Sequence, residues 1–131
     1  MNPDLTFLVV DDFSTMRRIV VGLLRQSGAT RILEAEDGLQ ALRIIESNPV
    51  DFVVSDWNMP NMTGLDLLKA LRASPKFSRM PVLLITAEGR KENIVEAAQA
   101  GADGYIVKPF NQDTLQEKLT RILAKYALIS A

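Results

Sequence analysis

The sequence predicts an α/β fold in which a five-stranded parallel sheet is covered by helices on both faces. Two observations carry that expectation. Short, nearly continuous apolar runs recur along the chain, and the stretches between them switch to a helical spacing of apolar residues. Strands covered on both faces read as unbroken apolar runs, and regular alternation with helices is the pattern of a doubly wound sheet.

Four runs are clear: Phe7 to Val10, Phe52 to Val54, Val82 to Ile85 and Tyr105 to Val107. Residues 31–35 (RILEA) form a weaker fifth, and their charged residues suit a strand at the edge of the sheet. Between the first two runs, Met16, Ile19, Val20, Leu23 and Leu24 fall on one helical face, with Ser14 as the expected N-cap and Gly28 just past the end. Residues 39–48 form a second helix, stopped by Pro49, and residues 65–73 a third, followed by Pro75. Residues 90–100 form a fourth, ended by Gly101. Asn111 caps a fifth, with Leu115, Leu119, Ile122 and Tyr126 on its inner face. No linker, repeat or low-complexity stretch interrupts this order, so residues 1–131 are expected to form a single domain.

Composition narrows the chemistry. Of 131 residues, 47% are hydrophobic and 24% charged, with a formal net charge of −1, as in ordinary globular chains. Charges of both signs are interspersed, so neither nucleic acid nor an anionic membrane is an expected partner. The N-terminal Met1-Asn2-Pro3-Asp4 lacks the pattern of a signal peptide, and no apolar run approaches a membrane span, so a cytoplasmic location is expected. There is neither cysteine nor histidine. Thiolate nucleophiles, imidazole bases and the usual zinc sites are thereby excluded, leaving carboxylates, hydroxyls, lysine, backbone groups and metal.

In open α/β sheets ligands bind beyond the carboxyl ends of the strands. There the chain offers Asp11 and Asp12 after strand 1, Asp56 after strand 3, Thr86 at the end of strand 4 and Lys108 after strand 5. Two like charges about 4 Å apart repel by roughly 4 kcal/mol at an effective dielectric near 20. Lys108 offsets one of three carboxylates, and a hard divalent ion such as Mg²⁺ would offset the others. Each residue alone has a plainer reading: a turn or cap for an aspartate, a strand-end hydroxyl for Thr86, a solvated charge for Lys108. Together they suit phosphoryl transfer, with a carboxylate as nucleophile and cations around the moving group. No phosphate-cradling glycine-rich loop occurs, which argues against nucleotide binding.

Four stretches, residues 7–14 (FLVVDDFS), 55–64 (SDWNMPNMTG), 81–88 (PVLLITAE) and 97–110 (AAQAGADGYIVKPF), resemble the receiver domains of response regulators, in order and across nearly the whole chain. Among these the sequence is most similar to the stand-alone chemotaxis regulators, through residues 12–18, 56–62 and 91–94. The resemblance implies the flavodoxin-like strand order 2-1-3-4-5. It implies that Asp56 is phosphorylated, and that Asp11, Asp12, Asp56 and the backbone carbonyl of Asn58 hold Mg²⁺. By the same resemblance Lys108 contacts the phosphoryl group, Thr86 is the switch hydroxyl, Tyr105 turns inward when Thr86 moves, and Lys108-Pro109 is a cis peptide bond. Asn58 and Glu88 would tune dephosphorylation.

The implied partners are a sensor histidine kinase, the flagellar motor switch protein and a possible dedicated phosphatase, met by a monomer. The expected partner surface is Ala87, Lys91, Ile94, Tyr105, Val107 and Lys118. Without the resemblance, Tyr105 reads as an amphipathic strand residue with a wet hydroxyl, and Lys91 and Lys118 as solvated helix charges. Trp57 reads equally as a loop aromatic or a contact near the metal.

Two residues depart from the chemotaxis pattern, Thr63 for an acidic residue and Gly89 for alanine. Gly89 is expected to loosen the start of the fourth helix. The tail Tyr126 to Ala131 is more apolar than a free end requires and could extend the last helix or pack on the domain. Three other readings share the frame. A receiver in a different phosphorelay would use the same chemistry. A Mg²⁺-dependent phosphatase would usually need an aspartate where Asn58 stands. A flavodoxin-like carrier would put its phosphate against Asp11 and Asp12.

Overall fold

The computed structural model of the protein describes residues 3–87 and 89–127. Five strands and five helices alternate strictly: β1 (Thr6–Val10), α1 (Ser14–Gln26), β2 (Arg31–Ala35), α2 (Gly38–Ser47), β3 (Phe52–Asp56), α3 (Gly64–Ala73), β4 (Val82–Thr86), α4 (Lys91–Gln99), β5 (Gly104–Val107) and α5 (Gln112–Lys125). All neighbouring strands pair parallel, in the order β2-β1-β3-β4-β5, as the resemblance implies. The charged β2 is indeed an edge strand.

Period-two alternation along each strand divides the core into two layers. Phe7, Val9, Phe52, Val54, Leu83 and Ile85 face one side and pack with Val20 and Leu24 of α1 and Leu115, Leu119 and Ile122 of α5. Leu8, Val10, Val53, Val82 and Leu84 face the other, against Ala41 and Ile45 of α2, Leu67, Leu68 and Leu71 of α3 and Ala97 of α4. Full burial of each large side chain contributes about 1.5–3 kcal/mol before ordering costs.

Most helix ends follow the expected chemistry. Asn111 caps α5 by accepting from the Thr114 amide at 2.9 Å, and Gly28 takes the left-handed conformation (φ 106°) that ends α1. Ser14, by contrast, is the first residue of α1 and not its cap. Phe13 holds the cap position and, having no side-chain acceptor, makes no side-chain cap bond; Asp11 Oδ1 accepts the Phe13 amide at 2.9 Å in the turn that leads into the helix. The fourth helix runs from Lys91 with Arg90 as its cap residue, so Gly89 lies in the preceding loop and its helix cost does not arise. Thr63 caps α3, accepting from the Asp66 amide at 3.1 Å. Tyr126 closes α5 and packs against the first core layer, whereas the tail beyond Ala127 lies outside the described residues, as do Met1, Asn2 and Glu88.

Candidate functional site

Register brings the candidate residues to one edge. Val10 pairs with Ser55, so Asp11 stands level with Asp56; Asp56 pairs with Ile85 and Ile85 with Ile106, so Thr86 and Lys108 follow one and two residues further along β4 and β5 at the same end of the sheet. Among the described residues, one group of acidic side chains could hold a metal: Asp11, Asp12 and Asp56, with carboxylate oxygens within 4.8 Å of one another. Lys108 Nζ stands 3.2 Å from Asp56 Oδ1 and 4.0 Å from Asp11 Oδ2. Three carboxylates thus face one ammonium.

The environment of each aspartate differs. Asp11 is buried, and its amide donates to the Ala35 carbonyl at 3.1 Å. Asp56 is half-buried, and its Oδ1 also accepts from the Trp57 amide at 2.9 Å. Asp12 is exposed. Burial pushes the Asp11 carboxyl up from its ordinary value; the Phe13 amide opposes this, and the charge of Asp56 adds to it. Burial likewise raises Asp56, against the pull of Lys108. Both groups are therefore poorly compensated as anions by the protein alone. An all-oxygen donor set with excess negative charge and a low-lying ammonium fits a hard divalent cation that keeps some of its water.

Chain geometry fixes the nucleophile's surroundings. A Cβ on Gly64 would stand 2.1 Å from the Asp56 carbonyl oxygen, so only glycine lets α3 begin this close to the end of β3. The Gly64 amide donates to the Trp57 carbonyl at 2.8 Å across the same loop. Trp57 is half-buried against the second core layer, so it is a packed residue rather than a free loop aromatic. Asn58 is exposed beside Asp56. Thr86 is buried at the end of β4, and its carbonyl accepts the Lys108 amide at 2.8 Å. The Lys108-Pro109 bond is cis.

The expected partner residues gather at the β5 edge, where α4 covers one face of the sheet and α5 the other. Ala87 and Lys91 are exposed; Ile94, Tyr105, Val107 and Lys118 are half-buried. Lys118 Nζ lies 5.5 Å from the centre of the Tyr105 ring, within cation–π range.

Three features had no signal in residue spacing. Arg17 donates to the Asp11 carbonyl at 2.7 Å. Asn61, in the left-handed conformation (φ 67°), donates to Asp37 at 2.8 Å and ties the β3–α3 loop to α2. Asp103 gathers Arg72, Lys125 and Tyr126 at the opposite end of the sheet.

A parallel sheet in this strand order, with an aspartate triad and a lysine at its carboxyl edge, defines a receiver-type domain. The chain matches the response regulator receiver domain family over residues 7–120 and belongs to it. It is 55% identical over 125 residues to the chemotaxis protein CheY-3 of Vibrio cholerae serotype O1, covering 95% of this chain and 96% of that one. It is 53% identical over 118 residues to the chemotaxis protein CheY of Pseudomonas aeruginosa, covering 90% and 95%. Among solved structures it resembles the chemotaxis response regulator CheY4 of Vibrio cholerae, with TM-score 0.83, 37% identity and coverage of 91% and 98%. A putative response regulator from Chloroflexus aurantiacus is similar too, with TM-score 0.86, 32% identity and coverage of 92% and 98%.

Proposed function

We propose that the protein is a phosphorylation-activated chemotaxis switch in which Asp56 accepts a phosphoryl group from the phosphohistidine of a sensor kinase. The observation that carries this reading is Asp56 at the end of β3, with Lys108 Nζ at 3.2 Å and Asp11 and Asp12 beside it. An Asp56 carboxylate oxygen forms the new O–P bond as the N–P bond to the donor histidine breaks, giving an acyl phosphate. Asp11, Asp12, Asp56 and the carbonyl of Asn58 would hold Mg²⁺, whose charge stabilises the phosphoryl oxygens when bound. Lys108 supplies a second positive charge to those oxygens, and the Thr86 hydroxyl donates to one of them. Movement of Thr86 leaves room for Tyr105 to turn inward, which couples the site to the α4–β5–α5 rim.

That rim, Ala87, Lys91, Ile94, Tyr105, Val107 and Lys118, binds the flagellar motor switch in the phosphorylated form and the kinase in the other. Its relatives at 53–55% identity, named as chemotaxis proteins, favour this output over another phosphorelay. The protein acts as a single-domain cytoplasmic monomer, and no helix among its described residues is long and apolar enough to cross a membrane. It is not an enzyme acting on outside substrates but catalyses its own phosphorylation and dephosphorylation, the latter tuned by Asn58 and Glu88 and open to a dedicated phosphatase.

Incubation with acetyl phosphate and Mg²⁺, followed by intact mass, tests the acceptor. The wild type should gain one phosphoryl group and Asp56→Asn none. Equal labelling of the two, or none on the wild type, would refute the assignment. Lys108→Arg should still label, yet bind motor-switch protein no better after labelling than before.

A further inference from the structure

We infer that Arg17 is a positioning residue of the phosphoryl-transfer site, holding the Asp11 backbone so that its carboxylate is aimed at the cation; the inference rests on the reading above. Arg17 lies in the first turn of α1 with its side chain largely covered. Its guanidinium spans two acceptors. Nη1 donates to the Asp11 carbonyl at 2.7 Å, and Nε donates to Glu34 Oε1 at 2.9 Å. Glu34 belongs to β2, paired with Val9 two residues before Asp11.

The bonds around Asp11 explain what this brace does. Its amide donates to Ala35 O at 3.1 Å, its carbonyl accepts from Arg17, and Oδ1 accepts the Phe13 amide at 2.9 Å. Three polar atoms of Asp11 are thus committed to the fold. Oδ2 is the one turned to Lys108, at 4.0 Å, in the shared acidic group. A buried carboxylate that must offer one oxygen to a cation needs its main chain fixed, since outer contacts orient metal ligands. Without Arg17 the Asp11 carbonyl loses its guanidinium donor, and the carboxylate loses one of the supports that set its direction.

Arginine suits this place because two nitrogens of one rigid fork reach a carbonyl and a carboxylate at once. Lysine offers one compact head and cannot reproduce both bonds. Glu34 is half exposed at the surface, so the ion pair itself adds little stability. Its effect is to fix the rotamer that presents Nη1 to Asp11.

Calorimetric Mg²⁺ titration of the full chain tests the inference, with each variant confirmed folded by circular dichroism. Arg17→Ala should weaken Mg²⁺ binding roughly tenfold, the lower range for residues behind metal ligands. Arg17→Lys should recover only part of that, and Glu34→Gln should lose less than Arg17→Ala. Adding Glu34→Gln to Arg17→Ala should cost nothing further, because both act through one bond. Labelling by acetyl phosphate should fall at low Mg²⁺ and largely recover at saturating Mg²⁺, a split that a merely structural residue would not give. If Arg17→Ala does not fold, Arg17→Lys and Glu34→Gln carry the same comparison. Unchanged Mg²⁺ affinity in folded variants of a Mg²⁺-binding wild type would overturn the role of Arg17 alone. No Mg²⁺ binding by the wild type would overturn it together with the proposed function.

Discussion

Asp11 and Asp56 hold their protons above the ordinary carboxylate value of 3.8, chiefly because burial disfavours the charged form. Each folded pKa lies above its unfolded one. Between the ordinary value and the raised one, the folded chain therefore binds more protons than the unfolded chain, and in the absence of a cation these two groups lose stability as pH rises through that window. Mg²⁺ held at this site as proposed would bind the ionised forms and reverse the sign. Metal binding should release protons, and the thermal stabilisation given by a fixed Mg²⁺ concentration should grow as pH climbs from about 4 toward neutrality. Melting curves with Mg²⁺ or chelator across that range check this. An equal Mg²⁺-dependent shift at both ends would contradict it.

The joints between elements set where the reactive groups stand, and two glycines make the contrast. Gly64 begins α3 with no space for a methyl group, since the obstruction at 2.1 Å is the Asp56 backbone and cannot swing aside. Gly64→Ala should destabilise the fold by about 1–3 kcal/mol in urea unfolding and slow labelling of Asp56. Gly22 sits inside α1, exposed, with nothing within 4 Å of an added Cβ. Gly22→Ala should stabilise by about 0.5–1 kcal/mol and leave labelling unchanged. Opposite signs from one chemical change would show that the close β3–α3 approach, not glycine content, matters. The same scale explains Gly89: lying before Lys91, it has no helix to weaken, and a Cβ there would make ordinary contact with Val107 at 3.4 Å.

Across the molecule, the sheet has a reactive edge and a fastened edge. At the second, the Asp103 side chain is almost wholly buried, with Oδ2 accepting from Arg72 at 3.0 Å and the Val82 amide at 2.8 Å. Its Oδ1 accepts from Lys125 and from the Tyr126 hydroxyl, each at 2.8 Å. One carboxylate thereby joins α3, β4 and the end of α5, far from the acidic triad. Asp103→Ala should cost about 3 kcal/mol, because the Val82 amide and the Tyr126 hydroxyl lose their acceptor and Arg72, still bonded to the Gly101 and Met80 carbonyls, loses its counter-charge, whereas Lys125→Ala, at an exposed ammonium, should cost under about 1 kcal/mol.

Burial, aided by the bond to Asp103, pushes the Tyr126 phenol up from 10.0 to about 12. Its folded value exceeds the unfolded one, so its contribution is complete below about pH 10 and is lost as pH rises toward 12. A spectrophotometric titration should show one late-ionising phenol that vanishes in Tyr126→Phe. Its persistence in that variant would refute the assignment.

The apolar runs ending in Asp11, Asp56, Thr86 and Lys108 determined the fold class and the edge where chemistry could occur. A parallel sheet needs strands buried on both faces and puts their carboxyl ends together. Gly28, Asn111 and the edge position of β2 were legible for the same local reason: left-handed backbone, an open amide and exposed charge each favour particular residue types. Register and contacts at long sequence separation were not local, and only the tertiary structure decided them. It gave the cap position before α1 to Phe13, whose amide Asp11 accepts in the preceding turn, and it removed Gly89 from the fourth helix. It also brought Arg17 to the Asp11 carbonyl and Asp103 to Tyr126, pairings fixed by how α1 and α5 dock on the sheet.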